Sequence, residues 1–393
     1  MSYSIELLKE TTNVLKKAFK DKKLRIHPVP KKDEVLTSWI VRLAVSNGFT
    51  PYSFMSVHFK PFYYLLRQDT DASDKSEFYE MLSYKTGIDL NRIKELSLAS
   101  YDGIVFMIDE KVNKRPFLLY LTNRGGYNTT YGYRYCPFCL REEEFLRKQH
   151  RLIFSTVCLK HKVFLLDRCP NCNKPLSPFI WRNIKTFHFH CPHCQYQYKD
   201  AVELTEKVPE ESKTLYYQEK LYKIIEEAKF EFEGREYFSV LFFPALYYIA
   251  GMLFKLENVS RNKNKTELKI KYDLLEKEIQ LIKPQKSEGI KTISLYSLTV
   301  KEHALLFTTA MDILSSKENF DRFVRENKIT FSQLNMKNNK SYQPFWYERL
   351  INDYKKERYV STEEAKHAIE YLRKQGIKPS MAKLSNLLGS TLE

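Results

Sequence analysis

All seven cysteines of the 393-residue chain lie between Cys136 and Cys194. With His161 they fall into four pairs: Cys136-Pro-Phe-Cys139, Cys158-Leu-Lys-His161, Cys169-Pro-Asn-Cys172 and Cys191-Pro-His-Cys194. The order is C-x2-C-x18-C-x2-H, then C-x2-C-x18-C-x2-C. A two-residue spacer lets both side chains of a pair reach one ion from a tight turn. Two such turns supply the four tetrahedral thiolate and imidazole ligands of a structural Zn2+ site. Eight donors therefore imply two ions per chain, with no cysteine left over. A site closed by four protein ligands has no position for water or substrate, so it staples a fold rather than catalysing a reaction. The equal spacing favours sequential pairing. Cys136, Cys139, Cys158 and His161 would hold one ion, and Cys169, Cys172, Cys191 and Cys194 the other; a cross-brace would interleave the pairs. A redox Cys-x-x-Cys needs only one pair in a thioredoxin-like setting, and a disulfide framework would leave one cysteine unpaired. The nearby His150, His188, His190 and His193 read as solvent-facing or packing residues.

Around this centre the composition bounds the function. A net charge of +16 and a pI near 9.2 point to an anionic partner, most simply nucleic acid, against the plainer alternative of a lysine-rich proteome. The opening "MSYSIELLKETTNVLKKAFKDKKLR" reads as a basic amphipathic helix or tail without the apolar segment of a secretory signal. The most apolar run, Phe238–Phe254, is short for a bilayer and is interrupted by Pro244, so it reads as a buried helix. Reduced cysteines and no export signal imply the cytosol and no membrane role. No Gly-rich phosphate loop or carboxylate constellation stands out, which argues against an enzyme.

The fold class read from the sequence is mainly α: an N-terminal helix-turn-helix, a central tandem zinc-knuckle region with little regular structure, and a C-terminal helical domain. The boundaries fall at 1–133, 134–200 and 201–393. Asp33 is a candidate cap for a helix carrying Leu36, Trp39, Ile40, Leu43 and Ala44 on one face. Asn47-Gly48 can end that helix and Thr50-Pro51 can open the next, giving a helix-turn-helix pattern. Trp39, Ile40 and Leu43 read as core. The candidates for nucleic-acid or partner contact are Arg42, Tyr52, Ser53, Ser56, His58 and Lys60. Asp74–Tyr84 reads as a helix closed by Gly87, and "IDLNRIKELSL" as a shorter one. Within the knuckle region only "LREEEFLRKQHRLIF" repeats a helical period. Beyond Ala201 the chain reads as all helical apart from a solvated "ENVSRNKNKTELKIK". Near the end Ala365, Ala368, Ile369 and Leu372 form a stripe stopped by Gly376. "KPSMAKLSNLLGSTLE" then supplies one more helix, and the chain ends where a recognition helix would begin.

Three stretches resemble the TniQ/TnsD family of transposon target-selection proteins: "HPVPKKDEVLTSWIVRLAVSNGF" from His27, "TGIDLNRIKELSLASY" from Thr86, and "YCPFCLREEEFLRKQHRLIFSTVCLKHKVFLLDRCPNCNKPL" from Tyr135. The resemblance covers roughly residues 26–200. It implies a bacterial protein, nucleoid-associated when acting, that chooses the insertion site and recruits the AAA+ ATPase TnsC. It also implies that homodimers, head to tail, are within the family's range. In one branch the target arrives through an RNA-guided Cascade complex. In the TnsD branch the protein reads an attachment site on DNA directly. The ending of the chain weakens a C-terminal DNA reader, so the adaptor is the first reading and the direct reader the second. A zinc-dependent nuclease is the third, and two closed four-ligand sites argue against it.

Overall fold

Helix α1, Leu36–Ser46, forms where the apolar residues recur at helical spacing. Leu36, Trp39, Ile40 and Leu43 are fully shielded from solvent. Gly48, in the left-handed conformation at φ 77°, turns the chain without the strain a Cβ would bring there. Thr50 accepts a hydrogen bond from the Ser53 amide and caps α2, Pro51–His58, whose first position is the proline. The start of α1 departs from expectation. Its cap position is Val35, which makes no side-chain bond, while Asp33 stands apart at φ 59°. Asp33 instead accepts the Gln149 amide at 3.3 Å on its carboxylate and the Lys148 amide at 2.7 Å on its carbonyl. A tertiary partner has displaced the local capping role.

The computed structural model describes residues 23–73, 75–108, 115–124, 127–180, 189–260, 295–339, 342–355 and 362–388. The expectations for the N-terminal segment 1–22, for Asp74, for His188 and for most of the lysine-rich stretch from Glu257 lie outside these residues. Contacts divide the chain into two compact units, 1–327 and 328–393.

In the first unit α3 (Ser76–Thr86) ends at left-handed Gly87, and Asp89 caps α4 (Leu90–Lys94). Strands β1 (Asn123–Arg124) and β2 (Tyr127–Asn128) pair antiparallel. Helix α5 (Pro137–Glu142) follows, then the hairpin β3 (Val157–Cys158) and β4 (Val163–Phe164). The expected helical period over Leu140–Phe154 is broken. The chain leaves α5 at Glu143 with extended dihedrals and returns only as a 3-10 turn at Lys148–Arg151. The reason is long-range: the Leu146 carbonyl accepts the Val35 amide at 2.9 Å, and the Leu146 amide donates to Ser38 Oγ at 3.0 Å. Phe145 and Leu146 are buried by this pairing.

Beyond Ala201 the chain is not all helical. Helix α6 (Lys213–Glu227) leads into an antiparallel hairpin, β5 (Lys229–Phe232) and β6 (Arg235–Phe238), before α7 (Phe242–Ser260). Glu233 and Gly234, both at positive φ, make its two-residue turn. Pro244 does not interrupt α7; it lies in the first turn, where a missing amide hydrogen costs nothing. Helix α8 (Val300–Ile313) starts on a capping box between Thr299 and Glu302, and α9 (Lys317–Glu326) follows.

One core joins the N-terminal helices to the cysteine region: Trp39, Phe54, Phe78, Tyr133, Tyr135, Cys169 and Cys191 belong to a single buried cluster. At its centre Arg151 is fully buried and ion-paired to Asp69 at 2.6 Å and Asp71 at 2.7 Å. Asp71 also accepts the Thr37 amide at 2.7 Å and the Tyr133 hydroxyl at 2.6 Å. Such a network fixes one arrangement, because removing one member strands a buried charge.

In the second unit α10 (Phe331–Leu334) contacts α11 (Phe345–Asn352), and α12 (Thr362–Lys374) contacts α13 (Met381–Leu388). Tyr347 donates to the Leu334 carbonyl at 3.1 Å. Ala368, Leu372 and Leu384 form the small α12–α13 core, and Gly376, at φ 70°, follows α12. Among the described residues, no helix is long and apolar enough to cross a membrane.

Candidate metal centres

All four ligand pairs share one backbone bond, from the amide of the residue after the pair back to the carbonyl of its first member: Leu140 to Cys136 at 3.1 Å, Lys162 to Cys158 at 2.7 Å, Asn173 to Cys169 at 2.8 Å, and Gln195 to Cys191 at 2.9 Å. Lys162, Asn173 and Gln195 all take positive φ. Each of these three pairs thus sits on a closed turn that aims both side chains inward. The first pair is built differently. Cys136 precedes α5, Pro137 opens that helix, and Cys139 lies one turn along.

The turns gather into two groups. Cys136, Cys139, Cys158 and His161 form one, Cys169, Cys172, Cys191 and Cys194 the other, and within each group the donor atoms lie within 4.8 Å of one another. In the first, His161 Nδ1 stands 3.5 Å from Cys136 Sγ, 3.4 Å from Cys139 Sγ and 3.4 Å from Cys158 Sγ. Cys139 and Cys158 are 3.6 Å apart. In the second, Cys169–Cys194 and Cys172–Cys191 are each 3.5 Å apart. A tetrahedral ion with sulfur at about 2.3 Å and nitrogen at about 2.0 Å puts its ligands about 3.5–3.8 Å apart. Both donor sets fit such an ion in size and chemistry, and each can hold a metal. Burial pushes the Cys169 and Cys191 thiols up, so a bound cation is what would favour their thiolates. The grouping is sequential; neither group interleaves pairs.

The first group has a partner that the spacing did not reveal. Glu142 Oε1 lies 3.2 Å from His161 Nε2, and Lys160 reaches the other oxygen of the same carboxylate at 2.6 Å. Lys160 first, then His161, holds the Glu142 carboxyl below its usual range. With Nδ1 facing the thiols, Nε2 is the nitrogen left to donate to Glu142, a bond that fixes the tautomer and orientation of a ligating histidine. Three residues beyond Cys139 on α5, Glu142 looks in sequence like any exposed helical carboxylate.

Of the nearby histidines, His150 is buried among Arg134, Cys139 and Leu146, and burial lowers it to about 3. His190 is half-buried in a bridge with Gln197. His193 is exposed and lies against Tyr127, ring centroids 4.7 Å apart.

The six contact candidates of the N-terminal helix pair separate. Arg42 pairs with the buried Glu34 and donates to the Val29 carbonyl, so it serves the fold. His58 packs edge-on against Phe49 at 5.2 Å, and Tyr52 packs edge-on against Tyr63 at 4.9 Å. Ser53, Ser56 and Lys60 are exposed.

No curated protein matches the chain. The TniQ family model matches residues 25–165, a segment that contains the whole first donor group and stops short of the second. TniQ domains mark transposon-associated target-selection proteins, and over this segment the chain is similar to the TniQ family.

Proposed function

We propose that the protein is a non-catalytic adaptor in transposition. It links a target-recognition complex, the RNA-guided Cascade, to the AAA+ regulator TnsC, and so directs insertion. The observation that carries this is the TniQ match over residues 25–165. The use of the N-terminal helix pair supports the adaptor over a direct reader of an attachment site. A base-reading helix needs several long polar side chains free to reach base edges, and Arg42, Tyr52 and His58 are spent on ion pairing and packing. Both donor groups are proposed to hold Zn2+, two ions per chain, as staples; four protein donors in each leave no open position for catalysis. The three sequence segments 1–133, 134–200 and 201–393 are proposed to divide the work into partner contact, stapling and a helical scaffold. The protein would act in the bacterial cytoplasm, nucleoid-associated when engaged, as a monomer or homodimer.

The test is a pull-down of TnsC by the full chain, with and without Cascade bound to its guide RNA, beside DNA binding by the chain alone. The adaptor predicts TnsC capture that depends on the guide complex, and only sequence-independent DNA binding. Selection of one duplex sequence by the chain alone, followed by TnsC recruitment without a guide, would overturn it in favour of the TnsD-type reader.

A further inference from the structure

The outer surface of the second donor group carries two close ring contacts. Tyr127 and His193 lie 4.7 Å apart at 36°. The Arg168 guanidinium lies 4.1 Å over the Tyr131 ring. Both pairs are tied to the knuckles themselves. His193 is inside the Cys191–Cys194 turn, and Tyr131 donates to the carbonyl of Asn173, the left-handed residue after Cys172, at 3.1 Å. Asn128, between the two tyrosines, is fixed by bonds to Ser177 Oγ at 2.8 Å and the Leu176 carbonyl at 2.6 Å.

These rings are not packing inward. Tyr131 is 39% exposed and His193 is exposed. The corresponding ring pair of the first group, Phe138 on His161 at 5.3 Å, instead packs with Val163, Leu165 and Val300. A ring used only to stabilise its knuckle gains most when covered. Tyr131 and His193 keep rings at the surface, and the exposed Lys174 follows Asn173, whose carbonyl accepts the Tyr131 hydroxyl, on a chain of net charge +16.

We propose that this surface is a stacking platform for the bases of a single-stranded nucleic acid. Unpaired bases stack on aromatic rings and on arginine planes, and a nearby cation tracks the phosphates. Duplex bases are already stacked on one another and cannot use such rings. Tyr127 and Tyr131 are four residues apart, at most about 14 Å along an extended chain, a span of about four stacked nucleotides at ~3.4 Å each. The proposal does not depend on the adaptor reading, because it concerns what this surface binds and not whether TnsC is recruited.

The experiment measures fluorescence anisotropy of the full chain with labelled 20-nucleotide oligouridine RNA, oligodeoxythymidine and a 20-base-pair duplex. The proteins are wild type, Tyr131→Ala, Tyr131→Phe and Tyr127→Ala, each checked for metal content and melting temperature. The platform predicts that either alanine variant loses about 5- to 100-fold in single-strand affinity with duplex affinity unchanged. Tyr131→Phe, which removes only the bond to Asn173, keeps it. The RNA and DNA arms assign the sugar. Equal loss on single strand and duplex, no loss in either alanine variant, or no single-strand binding by the wild type would each overturn it. A Tyr131→Phe defect as large as that of Tyr131→Ala would also overturn it, since the hydroxyl and not the ring would then matter.

Discussion

The two donor groups have the same spacing in sequence and very different surroundings in space. The first mixes three thiols with one imidazole, lies within the TniQ segment, and is enclosed: Cys136, Cys139 and Cys158 are buried and pack with Val163, Leu165 and Val300 at the start of α8. Arg141 of α5 adds a bond to the Lys199 carbonyl at 2.9 Å, closing a strap from beyond the second group over the first. The second group is all thiol and lies outside the TniQ match. It buries Cys169 and Cys191 in the main core but leaves Cys172 and Cys194 half-exposed. Ligand spacing specifies how a metal is held, while the residues between and beyond the ligands specify what the site is attached to. The first site joins helices of both halves of the large unit; the second anchors a surface.

That contrast predicts unequal consequences of losing a ligand. Metal analysis of the purified protein should give two zinc ions per chain, and a chelator should remove them in two phases, with the half-exposed second site emptied first. Cys158→Ser should abolish cooperative folding of the large unit, because structural zinc contributes on the order of 10 kcal/mol in small domains. Cys194→Ser should lose one ion and leave a folded, less stable protein. Thermal melting with metal analysis on both variants checks this. Equal melting temperatures would show that enclosure does not set the cost, and a wild type with one ion or none would remove the two-site reading.

A second prediction tests whether the first site is held by the ion alone or also by the core beneath it. Arg151, ten residues beyond Arg141 of α5, is buried between Asp69 and Asp71. Asp71→Ala leaves Thr37, Tyr133 and Arg151 short of a partner and should cost about 3–5 kcal/mol. Urea denaturation with zinc saturating should show the loss in full. A change below about 1 kcal/mol would mean the network is not holding the N-terminal helices to the cysteine region.

A third, smaller effect concerns ligand orientation. Glu142→Gln keeps the shape but weakens the acceptor facing His161 Nε2. Losing the partner that orients a ligating histidine lowers metal affinity about 10- to 100-fold. The loss should fall on the first site only, read as zinc competition with a chromophoric chelator. An equal loss at both sites would point to a general change in stability.

Much of this was written in local sequence and some was not. Thr50-Pro51, Asn47-Gly48 and Gly87 act through their own backbone preferences, so the helix boundaries they set could be read directly. The ligand pairs were equally plain, because a two-residue turn is local. The hairpin at 229–238 was legible and missed: Lys-Phe-Glu-Phe alternates and Glu-Gly supplies the turn. Asp33, the broken helix after Glu142, and the Arg151 network could not be read in this way. Each is decided by a partner far along the chain, between 34 and 116 residues away for the bonds of Thr37 to Asp71 and Gln149 to Asp33. Local propensity is overruled where a buried donor or acceptor must be satisfied. The same limit hid Glu142 and the tyrosines beside the second site, whose roles come from what the fold brings next to them.

The smallest prediction separates the two partners of Glu142. Its carboxylate meets both His161 and Lys160, and the Lys160 side chain is 63% exposed. An exposed ion pair contributes little, because water and salt screen it and two long side chains must be held still. If Glu142 works by orienting the imidazole, Lys160→Ala should leave zinc affinity at both sites unchanged while Glu142→Gln lowers it at the first. If instead Lys160 holds Glu142 in place, the two variants should weaken the first site equally, and added salt should weaken the wild type as well. Zinc competition on the two variants at low and high salt distinguishes these. A salt-insensitive site that tolerates Lys160→Ala assigns the effect to the 3.2 Å contact between carboxylate and imidazole. The second site has no histidine and no such contact, and it should respond to none of these changes.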